Sequence, residues 1–141
     1  MSKYKLIIAS LLFGLTLFSQ SNRTKDSMLA IIEACKVDTQ KVYKYTDLIK
    51  QLQTTSPNEV EEVGKINLEL ARKIGFKRGE AMALCGLGEF HNARGTYGMA
   101  LQNFIPAAKI YEQLKDFKKA SSTYNSIGNT YLGLNNYEKA R

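Results

Sequence analysis

The 141-residue chain has no tryptophan, one histidine, two cysteines and two prolines, and each scarcity excludes something. A single histidine, His91, leaves almost no material for a histidine-based metal site or a Ser-His-Asp triad, and its place among helical apolar residues fits packing better than ligation. Cys35 and Cys85 lie fifty residues apart without metal-site spacing. Both fall on apolar helical faces, so they read as buried thiols, although export would allow them to pair. Gly86-Leu87-Gly88 follows no strand and falls mid-helix, which makes it small-residue packing rather than a phosphate loop. No catalytic constellation, metal set or cofactor motif is present, so the chain is not expected to be an enzyme.

Twenty basic residues against thirteen acidic ones give a net charge of +7, yet the cations do not form a stripe. The longest clusters, Lys77-Arg78 and Lys118-Lys119, fall at turns beside Glu80 and Asp116 and read as solvated helix ends, so nucleic acid is not an expected partner. Residues 1–21 have the pattern of a secretory signal peptide. Lys3 and Lys5 precede an uncharged run of thirteen residues from Leu6 to Phe18, and Ser19-Gln20-Ser21 offers small residues for cleavage. Thirteen residues of helix rise about 20 Å, short of a hydrocarbon core of about 30 Å, so the run is not read as a membrane span. Removal after Ser21 takes two lysines and leaves a net charge of +5. The expected location is exported, on the periplasmic or extracellular face.

The remaining sequence is organised by a repeat at a period of 40 residues. Gly88-Glu89-Phe90-His91 aligns with Gly128-Asn129-Thr130-Tyr131, and Ser56-Pro57-Asn58-Glu59-Val60 aligns with Thr96 to Ala100 and with Asn136 to Ala140. A fixed period of this size marks stacked helical units. A leading helix is expected over about 26–36, within a capping segment 22–37. Helix A and helix B of the first unit are expected over about 39–53 and 57–74, with Asp38-Thr39 and Ser56 as N-caps. The second unit reads as 78–93 and 97–114, with Pro106 bending its helix B or freeing the carbonyl of Gln102. The third reads as 117–134, followed by a turn at Asn135-Asn136 and only the start of a helix B. Gly88 and Gly128 occupy the expected close-contact position between helices A and B.

These residues resemble the tetratricopeptide repeat: Gly88, His91, Ala100, Phe104 and Ala107 in the second unit and Gly128, Tyr131 and Ala140 in the third match its small, aromatic and alanine positions. The first unit is degenerate, with Leu48, Gln51, Val60, Gly64 and Asn67 there. The resemblance covers 38–141, in units of about 41–80, 81–120 and a truncated 121–141, and its longer period is similar to exported N-terminal arrays of bacterial signalling proteins. It implies an all-α, right-handed α-solenoid of antiparallel helix pairs. It also implies a non-catalytic scaffold that holds a protein or peptide segment in a concave groove, as the sensory region of a longer chain. A structural or assembly scaffold of the cell envelope is the alternative. Carried over from the family, the groove positions are Val42, Tyr45, Ile49 and Leu52, then Met82, Cys85, Glu89 and Asn92, then Ser122, Asn125, Asn129 and Leu132. Among these, Tyr45, Ile49, Glu89, Asn92, Asn125 and Asn129 are the expected partner contacts. The array lacks the family's cationic clamp for a peptide C-terminus. An incomplete third unit, with Tyr124, Ile127, Tyr131 and Leu134 uncovered, further implies self-association or fraying beyond about residue 118.

Overall fold

The structure, a computed structural model, describes residues 25–139. The expected signal peptide lies outside the described residues. Contacts divide the chain into two units at Cys35 and Lys36. The first contributes a helix, α1, over 25–33. The second contains α2 (Thr39–Thr55), a 3-10 helix (Pro57–Glu59), α3 (Val60–Lys73), α4 (Lys77–Ala93), α5 (Tyr97–Gln113) and α6 (Phe117–Lys139). All regular structure among the described residues is helical, and no described helix is long and apolar enough to cross a membrane.

Sequence chemistry fixes the helix ends. Asp38 starts α2 by accepting at Oδ1 from the N–H groups of Gln40 and Lys41, 2.9 and 3.3 Å away, so two of the free first-turn donors are satisfied. Ser56 makes no side-chain cap on the 3-10 helix that follows, contrary to expectation; Pro57 starts that turn with its fixed φ. Three reversals then recur every twenty residues with the same hydrogen bonds. Gly75, Gly95 and Lys115 take φ of 69°, 73° and 55°, and their N–H groups bond to Arg72, Asn92 and Glu112. The next residues, Phe76, Thr96 and Asp116, donate to the carbonyls of Ala71, His91 and Tyr111. Each reversal is therefore a Schellman ending, which closes a helix and turns the chain back within three residues. Two glycines adopt the left-handed conformation freely, whereas Lys115 does so against the steric preference of an L-residue.

Within the second unit each helix from α2 to α6 packs on its chain neighbour, and α2 also touches α4. One buried cluster joins Ala81 and Leu84 of α4, Ala107 and Tyr111 of α5, and Ala120 of α6. Close approach depends on missing side chains. A Cβ at Gly88 would fall 2.7 Å from the Phe104 ring on α5, and one at Gly64 would fall 2.6 Å from Leu87, so an aromatic and a leucine fill the volumes those glycines leave open. Pro106 is accommodated within α5, which continues unbroken through it.

The end of the chain corrects two expectations. No turn forms at Asn135-Asn136, because α6 runs on to Lys139, and a Cβ at Gly128 would meet nothing within 4 Å. The cause is the same in both cases. At Gly88 the returning α5 lays Phe104 against the helix, whereas among the described residues nothing packs on Gly128, and continued backbone hydrogen bonding decides the conformation. Gly88→Leu should accordingly lower unfolding stability by about 1–3 kcal/mol through overpacking, while Gly128→Leu should stay within about 0.5 kcal/mol of the parent; urea denaturation of the two variants measures both.

Candidate partner-binding groove

Helix α4 presents two adjacent heptad stripes to its neighbours. Gly79 and Gly86 face α2, where a Cβ at Gly79 would come within 2.7 Å of Val42 Cγ1 and one at Gly86 within 3.6 Å of Ile49 Cγ2. Gly79 is required for this approach; Gly86 makes only ordinary contact. The second stripe is polar and meets the α6 side. Arg78 donates to the Asp116 carboxylate, the Cys85 thiol lies 3.6 Å from Thr123 Oγ1, and the Thr130 hydroxyl lies 3.0 Å from Asn92 Oδ1. Since Thr123 Oγ1 already donates to the Lys119 carbonyl at 2.9 Å, the Cys85 thiol is the donor in its pair. Residues seven apart return to nearly the same helix face, which is why three such bonds form one seam.

Alongside the α2–α4 contact lie two open hollows. The smaller, about 150 Å³, is lined by Thr46, Ile49, Lys50 and Gln53 of α2, Met82, Cys85, Gly86 and Glu89 of α4, Tyr111 and Lys119. The larger, about 280 Å³, is lined by Gln53, Pro57, Val60, Glu89, Phe90, Ala93 and Arg94. They share Gln53 and Glu89 and so continue one another along α4. Each is below the roughly 300–1,000 Å³ of pockets that enclose a metabolite, and their size suits single side chains of a longer ligand. Asn67, fully buried on α3, supports the floor by donating to Thr46 Oγ1 at 3.1 Å, while that hydroxyl donates to the Val42 carbonyl at 3.0 Å.

Most charges in this wall are engaged. Lys50 pairs with Asp47 at 3.2 Å. Arg94 donates to Asn58 at 3.0 Å and lies 5.3 Å over the Phe90 ring. Asp116 is held below the usual carboxylate range by the backbone N–H of Lys119 first, then by Arg78 and the Lys119 charge. Burial pushes the Cys85 thiol and the Tyr111 phenol up, so both are neutral at physiological pH. Among the described residues no three His, Cys, Asp or Glu side chains converge as a metal set. Neither cysteine is in a disulfide.

The expected contact residues separate into three groups. Ile49 and Glu89 line the hollows. Tyr45 is 1% exposed and belongs to the core with Val42 and Leu52, because the buried arc of α2 is centred on them and the hollow lies at its edge. Asn92 is half-buried and bonded to Thr130; Asn125 and Asn129 are exposed on α6 away from either hollow. The register missed Thr46, Lys50, Gln53 and Gly86. The first three form one α2 stripe with Ile49 at helical spacing, whereas Tyr111 and Lys119 arrive from other helices and carry no local signal. His91 is buried, with Nδ1 3.2 Å from Thr96 Oγ1, at the closure of α4.

No protein-family model, curated protein or solved structure matches the chain.

Glu80 ties the start of α4 to α3, accepting from Arg72 and Lys77 at 2.9 Å each. Burial alone would raise its pKa, but the hydrogen bonds from Lys77 and Arg72 outweigh it and hold the carboxyl below its ordinary 4.5. A depressed folded value means that this stabilisation is present above pH 4.5 and is lost as pH falls through the folded value. Thermal melts between neutral pH and pH 3 should therefore show a decline below about 4.5 that is shallower in Glu80→Gln than in the parent.

Proposed function

We propose that this chain is a non-catalytic scaffold that holds an extended segment of a partner protein along the α2–α4 groove. Two shared, side-chain-sized hollows on one face support this reading most strongly: a segment laid along α4 would place successive side chains in each. The helices would form a right-handed α-solenoid of tetratricopeptide type. That arrangement accounts for the twenty-residue spacing of reversals, the packing of each helix from α2 to α6 on its chain neighbour and the further contact of α2 with α4. The charged start and thirteen-residue apolar run of the first segment support export, and the period of 40 supports a sensory or interaction role in a longer bacterial signalling protein. Nucleic acid is not the proposed partner.

A photo-cross-linking residue at Gln53, which lines both hollows, should form an adduct with another polypeptide when the chain is expressed in its native host. The same residue at Lys109, exposed on α5, should not. Adducts from position 109 with none from position 53 would overturn the reading.

A further inference from the structure

The groove holds an acidic side chain that has no partner among the described residues. Glu89 is exposed, lines both hollows and is the only acid among the described residues of either lining. Lys50 has Asp47, Arg94 has Asn58 and the Phe90 face, and Lys119 lies where its charge helps hold Asp116 ionised. Among the described residues Glu89 makes no ion pair or hydrogen bond; its charge pushes the Cys85 thiol further toward the neutral form. On one side of it, Ile49, Met82 and Gly86 offer a slot for an aliphatic stem. On the other, Pro57, Val60, Phe90 and Ala93 form the more apolar and larger hollow.

On the groove-binding reading above, we infer that the partner segment carries a lysine or arginine two positions from a bulky apolar residue. In an extended chain, side chains two apart point the same way and lie about 6.6 Å apart, so two of them can enter hollows that adjoin at Gln53 and Glu89. The basic side chain lays its methylene stem over Ile49 and Gly86 and brings its charge to Glu89, while the apolar side chain fills the hollow beside Phe90. Specificity follows from the same pair. An acidic residue in the first position would meet the Glu89 carboxylate and be rejected.

The test uses the full chain and two fluorescein-labelled heptapeptides in an alanine–serine background, one with lysine and leucine two positions apart, the other with glutamate in place of lysine. Fluorescence anisotropy should show the lysine peptide binding about ten-fold more tightly, with the preference lost in Glu89→Gln and inverted in Glu89→Lys. Amide shift mapping should place the bound peptide on residues 46–53 and 82–94. Equal binding of the two peptides there, or a preference unchanged in Glu89→Lys, overturns the inference and leaves the groove reading intact. Binding elsewhere on the chain, or no binding of either peptide up to millimolar concentration, overturns both.

Discussion

The α2–α4 packing of this protein depends on how closely α4 approaches α2, and that approach is set by a missing side chain. At Gly79 a single methyl group would strike Val42 and the Phe76 ring, so the α4 backbone meets the Val42 side chain of α2 with no room for a Cβ. Phe76 takes part twice. It lies edge-on to Tyr43 of α2 at 5.5 Å between centroids, and its backbone N–H closes the α3 ending. The geometry that turns the chain into α4 is thus also the geometry that seats α4 on α2, and the hollows from Thr46 to Arg94 follow from that seat.

Helix α4 solves a different problem on each side. Toward α2 and α5 it presents Gly79 and Gly88, which admit Val42 and the Phe104 ring; toward α3 it sends Leu87 into the space above Gly64. Toward α6 it uses polar bonds at heptad spacing instead. Apolar complementarity stabilises through burial and dispersion and tolerates no extra volume. Hydrogen bonds contribute less each, but they fix register, because a shift of one residue would separate all three pairs.

The sequence made the helices legible because their ends carry chemistry with few alternatives. Asp38 at an N-cap, and Gly75 and Gly95 just past helix ends, each do what the residue type favours, and α4 and α5 lie within one residue of their expected limits. Lys115 was harder to foresee as a left-handed residue, since nothing in its side chain favours that conformation. The groove was less legible than the helices. Periodicity identifies which arc of α2 is apolar but does not show where its edge lies, so Tyr45 and Ile49 look alike in sequence although only Ile49 lines a hollow. Residues such as Lys119 reach the groove from another helix, and only tertiary packing reveals them. Asn135-Asn136 lies inside a continuous α6, so the turn preference of these two residues did not bend the helix.

A double-mutant cycle on Val42 and Gly79 tests the close approach most directly. If the methyl of Gly79→Ala destabilises by striking Val42, trimming that side chain in Val42→Ala should relieve part of the cost, giving a coupling of about 0.5–3 kcal/mol by urea denaturation. Strict additivity of the two substitutions would contradict the account.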